Sequence, residues 1–192
     1  YLLGTIELSG GAPVHALERI DAAIALRADH PAFHYSRGEA LRATGRLGAA
    51  ADAFRRALSL DDSDSDWWNE LGLTLEVLAQ PQAAVEAYTT ALARDPDSTL
   101  AACNLANLNT RRGQPAFAIE LLRHAIAQQP DSLPAQLALG LALVKTGDAA
   151  GAVQAFAVAD HLATLPGKAE ALVDQGIIFE RLDWRAAAER CY

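Results

Sequence analysis

The chain has 192 residues, of which 51% are apolar and only 6% are aromatic, and its formal net charge is −8. This length and apolar content allow a substantial buried core, and a composition dominated by Ala and Leu favours close-packed helices over sheets. An acidic surface repels phosphate backbones and anionic lipid heads, so we expect no nucleic-acid partner and no membrane insertion.

Small residues recur along the chain with a constant step of 34 residues. The first such series is Gly4, Gly38, Gly72, Ala106 and Gly140. Two further series with the same step consist of Ala16, Ala50, Ala84, Ala118 and Ala152, and of Ala23, Ala57, Ala91, Ala125 and Ala159. A period of this length is typical of proteins in which each unit buries its apolar face only against its neighbours. The sequence therefore predicts an all-α solenoid of tandem 34-residue helix-turn-helix repeats.

In chain order, the period predicts a partial repeat, four complete repeats and a second partial repeat within a single domain, 1–192. Their bounds are 1–30, 31–64, 65–98, 99–132, 133–166 and 169–192. Each complete repeat contains two amphipathic stretches separated by a break at Gly45, Pro81, Gly113 or Gly147. Gly and Pro end helices, and short connections make neighbouring helices antiparallel, so each repeat is predicted to be a helical hairpin. The last repeat is offset by two residues, and we expect its second helix to begin near Trp184.

One repeat carries a full set of diagnostic positions. Numbered from 1 to 34, residues 65–98 have at positions 4, 7, 8, 11, 20, 24, 27 and 32 the residues Trp68, Leu71, Gly72, Leu75, Ala84, Tyr88, Ala91 and Pro96. This pattern resembles the tetratricopeptide repeat family. The resemblance implies a right-handed αα superhelix that acts as a non-catalytic scaffold and binds a peptide or protein segment in a groove lined by the first helix of each hairpin.

The pattern also has a direct physical interpretation. A small residue at position 8 lets the two helices of a hairpin approach closely. Large side chains at position 24 are then expected to fill the core, and they are Ile20, Phe54, Tyr88, Leu122 and Phe156. Three residues depart from the apolar pattern, namely Arg37, Asn109 and Asp160. Each of these must reach solvent or find a polar partner.

The residues that could carry chemistry do not form a recognisable catalytic or metal-binding pattern. The acidic run from Asp61 to Asp66 has Trp67 where a calcium loop needs glycine, so we interpret it as the cap of a helix that begins near Ser65. The five histidines lack zinc-ligand spacing, and Cys103 and Cys191 are predicted to be unpaired thiols. We therefore predict no enzyme activity, no cofactor and no metal site.

The family resemblance implies that positions 2, 5, 6, 9, 12 and 13 of each first helix face the groove. The predicted peptide-binding groove residues are Tyr35, Glu39, Arg42, Asn69, Glu70, Leu73, Glu76, Asn104, Asn107, Arg111, Leu141 and Lys145. The same mapping also places Ser36, Cys103 and Leu137 there. We expect Asn104 and Asn107 to hydrogen-bond a peptide backbone and the leucines to accept apolar side chains.

The groove departs from two specialised members of the family. Chaperone-binding members hold a terminal carboxylate with Lys and Asn, whereas this chain has Tyr35 and Glu39 at the corresponding places of its first complete repeat and Asn69 and Leu73 in the next. Glycosyltransferases with such repeats show Asn at position 6 in successive copies, and here Asn104 alone does so. Neither specialised ligand is predicted.

Two alternatives remain open from the sequence. The chain could be the substrate-recruiting arm of a larger bacterial enzyme such as a glycosyltransferase, or it could self-associate through exposed repeat ends. Arg greatly outnumbers Lys, which suggests a bacterial source, and we expect a cytoplasmic location, with the periplasm as the alternative.

Overall fold

The computed structural model describes residues 1–164, which form ten α-helices and no strand. Their bounds are α1 Leu2–Ser9, α2 Pro13–Leu26, α3 Pro31–Ala43, α4 Leu47–Leu60, α5 Ser65–Val77, α6 Pro81–Arg94, α7 Thr99–Arg111, α8 Pro115–Gln128, α9 Leu133–Thr146 and α10 Ala149–Ala163. The all-α prediction is confirmed. None of these ten helices combines the length and the apolar character needed to cross a membrane. The predictions on Trp184, Cys191 and the offset repeat 169–192 lie outside the described residues.

The chain divides into two compact units, Tyr1–Pro96 and Asp97–Tyr192, and we call them unit 1 and unit 2. Unit 1 contains three hairpins, in which α1 packs on α2, α3 on α4 and α5 on α6. Within unit 2, α7 packs on α8 and α9 on α10, and α7 also packs directly against α9. The hairpin assignment of the four complete repeats therefore matches the described helices, while the single domain over 1–192 stays a prediction.

The close approach within each hairpin depends on the small residue at position 8. A Cβ atom added to Gly72 would lie 2.5 Å from Cε1 of Tyr88, and one added to Gly38 would lie 2.6 Å from Cδ1 of Phe54. The large position-24 side chains are correspondingly buried, and Phe54, Tyr88 and Leu122 have no exposed surface. The prediction that this series forms the core is confirmed.

The turns inside the hairpins use a left-handed residue at the same repeat position each time. Gly11, Gly45, Gly113 and Gly147 have φ values between 76° and 81°. In the α5–α6 turn the equivalent residue is Ala79, which adopts a φ of 56° despite its Cβ atom. Left-handed backbone is unfavourable for residues other than glycine, so this turn is locally strained compared with the others.

The residues that interrupt the apolar pattern find polar partners. The Arg37 side chain donates from Nε to Oδ1 of Asp21 at 2.6 Å. Asn109 is buried, and its Nδ2 donates to the carbonyl oxygen of Leu105 at 3.0 Å. The hydrogen bond of Asn109 avoids the cost of burying an unpaired polar group, whereas Arg37 remains partly exposed to solvent.

The acidic run before α5 acts as a helix cap, as predicted. The Asp64 carboxylate accepts a hydrogen bond from the backbone amide of Asp66 at 2.9 Å. The carbonyl oxygen of Asp62 accepts from Trp68 Nε1 and from Arg94 Nε, each at 3.0 Å. The run is therefore tied both to α5 and to the end of α6.

Candidate functional site

In unit 1, aromatic side chains from α3 and α5 lie against each other on the predicted binding face. The rings of Tyr35 and Trp67 are stacked, with centroids 5.1 Å apart and planes 16° apart. Tyr35 also contacts Phe54 of α4 in a tilted arrangement with centroids 5.5 Å apart. Tyr35 and Trp67 are both partly exposed, whereas Phe54 is fully buried. The buried ring of Phe54 thus packs against Tyr35, while Tyr35 and Trp67 keep part of their surface exposed to solvent.

Sequence analysis missed Trp67, because it occupies position 3, which the family mapping does not assign to the groove. The sequence held a signal for its position, since Trp67 lies 32 residues after Tyr35 and directly follows the acidic run that caps α5. Those facts place a large ring at the start of the next first helix. That Trp67 would stack on Tyr35 depends on how α3 and α5 are placed in space.

Charged residues surround this aromatic pair. Arg42 of α3 forms an ion pair with Glu70 of α5, with Nη2 and Oε2 2.9 Å apart. The Arg42 side chain is 42% exposed and the Glu70 side chain 19% exposed, so the carboxylate is the more buried partner. Glu39 lies on α3 one turn before Arg42 and is also partly buried. We call Tyr35, Glu39, Arg42, Trp67 and Glu70 the α3–α5 face.

The carboxylates of the α3–α5 face are held in an environment that disfavours their negative charge. Burial raises the pKa of Glu39, and the nearby charge of Glu70 raises it further. Burial likewise raises the pKa of Glu70; Arg42 lowers it in part, and Asp66 raises it by less than Arg42 lowers it. The pKa of the Tyr35 hydroxyl is raised by burial and by Glu39 and Glu70. Burial is therefore the main reason that these groups hold their protons more tightly, and Arg42 compensates for only part of it.

The other predicted groove residues of α5 are placed differently from one another. Asn69 is only 1% exposed, so the prediction that it lines an accessible groove is corrected: its side chain lies within the protein. Leu73 is partly exposed. Glu76 is partly exposed, and its Oε2 accepts a hydrogen bond from the Tyr88 hydroxyl at 3.1 Å. Glu76 thus also holds α5 to α6.

Unit 2 presents a face of different chemistry on α7 and α9. Asn104, Asn107 and Leu141 are partly exposed, and Arg111 and Lys145 are exposed at the C-terminal ends of these helices. We call these five residues the α7–α9 face. Three residues that the mapping had placed in the groove are buried instead, and these are Ser36 in unit 1 with Cys103 and Leu137 in unit 2.

Two observations on the described residues concern metal binding and thiol reactivity. Within residues 1–164, no three His, Cys, Asp or Glu side chains converge in a way that could hold a metal ion. Burial raises the pKa of the Cys103 thiol to about 12, which keeps it protonated and unreactive near neutral pH. The two faces therefore offer hydrogen-bonding, aromatic and charged groups that suit binding.

Comparison with known families gives a direct match over most of the chain. The profile of the tetratricopeptide repeat matches residues 1–66, 69–132 and 111–167. The chain belongs to the tetratricopeptide repeat (TPR) family. The resemblance based on residues 65–98 is therefore confirmed, and the matched ranges cover the ten described helices apart from Trp67 and Trp68 of α5.

Solved structures with a similar fold come from several TPR proteins. MamA is 21% identical with a TM-score of 0.76, and the match covers 83% of this chain and 93% of MamA. PilW, a widely conserved type IV pilus biogenesis factor, is 23% identical with a TM-score of 0.76 over 99% of this chain and 87% of PilW. YrrB, a TPR protein with an unusual peptide-binding site, is 20% identical with a TM-score of 0.70 over 90% of this chain and 88% of YrrB. At these identities the similarity shows the fold.

A curated relative matches part of the chain. The peroxisomal targeting signal receptor of Kluyveromyces lactis is 33% identical over 87 residues, which are 45% of this chain and 15% of the receptor. The match therefore spans a small fraction of that receptor's length.

Proposed function

We propose that this chain is a non-catalytic binding module that holds a peptide or protein segment against the first helices of its hairpins. The observation that carries the proposal is the composition of these helices. The α3–α5 face and the α7–α9 face combine partly exposed rings, amides and charged groups, all carried by helices. Such groups recognise an extended segment by hydrogen bonds and side-chain contacts.

The relatives support the same conclusion. YrrB has a peptide-binding site, and the Kluyveromyces lactis protein is a targeting signal receptor. The repeat scaffold that this chain shares with them fixes the backbone of each hairpin through buried small and large residues. Residues outside that packing are free to vary with the ligand. We propose a cytoplasmic location for this module, as the sequence suggests.

A peptide-display selection with the complete chain tests the proposal. Random peptides are selected against the native protein, and their affinities are measured by calorimetry. The paired variant Asn104→Ala with Asn107→Ala is expected to weaken binding by about 1 kcal/mol for each hydrogen bond lost. The control replaces exposed amides on second helices, Gln128→Ala with Gln154→Ala, and is expected to bind as the native protein does.

Each outcome of the selection is decisive. A selection that recovers no peptide contradicts the binding function. If peptides bind but the Asn104 and Asn107 variant keeps the affinity of the native protein for all of them, the assignment of the α7–α9 face is wrong. Equal losses in the variant and in the control contradict a role for the first helices.

A further inference from the structure

The α3–α5 face has an excess of negative charge beside its aromatic pair. Glu39 and Glu70 belong to the face, and Asp64 and Asp66 at the start of α5 lie close enough to act electrostatically on Tyr35 and Glu70 respectively. Arg42 partly offsets the negative charge at Glu39 and Glu70. A ligand carrying positive charge is therefore complementary to this surface, whereas an acidic ligand is repelled.

Partial burial makes this charge imbalance energetically significant. Water screens exposed carboxylates, but the Glu70 side chain is only 19% exposed and Glu39 is also partly buried. The repulsion between two glutamates that have lost part of their hydration is weakly screened. A cation that approaches both carboxylates relieves this repulsion, and it gains more than it would at a fully exposed pair.

The stacked rings supply the second half of a site for a basic side chain. Lys and Arg have apolar stems that pack on aromatic surfaces, and their charged groups interact favourably with ring faces. Tyr35 lies close enough to Glu39 and Glu70 to be affected by their charges, and both Tyr35 and its stacking partner Trp67 are partly exposed. The stem and the charge of one ligand side chain therefore find complementary groups on the same face.

We propose that the α3–α5 face selects protein segments that place a Lys or Arg side chain at Glu39 and Glu70, with its stem against Tyr35 and Trp67. This inference rests on the proposed binding function and names the chemistry of its ligand in unit 1. It concerns a basic protein segment and excludes a terminal carboxylate as the group bound at this face. The α7–α9 face, which carries Arg111 and Lys145, has the opposite charge and is not expected to share this preference.

Arg42 has a particular role in this proposal, because it occupies Glu70 with a cation of the protein itself. The ion pair joins atoms 2.9 Å apart, but 42% of the Arg42 side chain is exposed. The guanidinium of Arg42 can therefore turn to water when a ligand cation takes its place at Glu70, and neither charge is left buried and unpaired. Arg42 also repels an incoming cation. Removing Arg42 is therefore expected to strengthen the binding of basic segments, whereas removing either glutamate weakens it.

The test compares peptide-display selections against three forms of the complete chain. The native protein is compared with the paired variant Glu39→Gln with Glu70→Gln and with the control Glu86→Gln, which changes an exposed glutamate of α6. Peptides selected on the native protein and on the control are expected to be enriched in Lys and Arg at one position. Peptides selected on the paired variant are expected to lack that enrichment.

Affinities of the recovered peptides then provide the quantitative measurement. The paired glutamate variant is expected to bind the basic peptides about tenfold more weakly than the native protein, and Arg42→Ala about threefold more tightly. Raised salt is expected to weaken binding to the native protein and to have less effect on the paired variant. Circular dichroism and thermal melts verify that each variant is folded.

The result separates this inference from the proposed function. Peptides that bind without any preference for Lys or Arg overturn the cationic selectivity and leave the binding function in place. A preference that persists unchanged in the paired glutamate variant also overturns it. Weaker binding by Arg42→Ala contradicts the role assigned to Arg42, because it means that this arginine contacts the ligand favourably. Recovery of no peptide contradicts the binding function itself.

Discussion

Within unit 1 and within unit 2, the first helices of neighbouring hairpins contact each other in different ways. In unit 1, polar and aromatic side chains bridge α3 and α5, through the stacked rings of Tyr35 and Trp67 and the ion pair of Arg42 with Glu70. In unit 2, α7 and α9 pack directly, and their buried apolar cluster includes Cys103, Ala106, Leu137 and Ala138. One repeat pattern therefore supports two kinds of surface, because it fixes the packing inside each hairpin and leaves the contacts between first helices to other positions.

Both units rely on a small residue at position 8 packed against a large residue at position 24, and disrupting this packing is expected to have the strongest effect. Gly72→Leu places a side chain where a Cβ atom alone would lie 2.5 Å from the Tyr88 ring. We expect it to lower the free energy of unfolding by about 3 kcal/mol or more, because a packed hairpin cannot absorb the added volume. Urea denaturation monitored by circular dichroism measures the loss. In the control Gly48→Leu, the new Cβ meets no atom within 4 Å, and we expect at most a small change.

A double-mutant cycle sharpens this comparison between units. The hairpin of α7 and α8 has Ala106 at position 8 and Leu122 at position 24, and both are buried. Gly72→Ala alone is expected to lower the free energy of unfolding by about 2 kcal/mol. Combining it with Tyr88→Leu reproduces the residue pair of the α7–α8 hairpin, and this double variant is expected to be about 1 kcal/mol more stable than the sum of the two single changes predicts. Purely additive effects would contradict the interpretation that positions 8 and 24 form one packing unit.

An intermediate effect is expected at the turns. Ala79 has a φ of 56° in unit 1, and Gly113 has a φ of 80° at the equivalent position of unit 2. Ala79→Gly is expected to raise the free energy of unfolding by about 0.5 to 1 kcal/mol, and Gly113→Ala to lower it by about 1 kcal/mol. Thermal and urea denaturation of both variants measure these two changes in the free energy of unfolding. A loss of stability in Ala79→Gly would contradict the backbone strain inferred for Ala79.

The smallest expected effect concerns the α3–α5 face and depends on pH. Burial and the charge of Glu70 raise the pKa of Glu39, so the folded chain holds that proton more tightly than the unfolded chain does. The stability due to Glu39 is therefore fully present below its ordinary pKa of 4.5 and is lost as the pH rises through the raised value. Glu39→Gln removes this loss. Its stability relative to the native protein is expected to increase from acidic to neutral pH.

Urea denaturation over this pH range measures the difference. Glu86→Gln makes the same change in net charge outside the face and serves as the control. A stability difference between Glu39→Gln and the native protein that stays constant with pH would show that Glu39 does not titrate as inferred.

The elements that sequence analysis predicted correctly depend on short-range rules. Gly45, Pro81 and Gly147 lie at or next to the hairpin turns, Asp64 caps α5, and the position-24 series is buried. Helix ends follow from Gly, Pro and capping chemistry, and a repeating pattern confines each apolar face to its neighbours. The binding face was predicted less well. Asn69 is buried although it was assigned to the groove, and Trp67 joins the face although it was not.

The family, the helical hairpins and the pairing of small with large residues inside them follow from the amino-acid pattern. These features repeat every 34 residues, so the same local interactions specify them several times over. The stacking of Tyr35 on Trp67, the ion pair of Arg42 with Glu70 and the burial of Asn69 are seen in the three-dimensional structure and could not be read from the pattern. These contacts join residues about one repeat apart on different helices. They depend on the relative placement of the helices, which no pattern within one helix specifies.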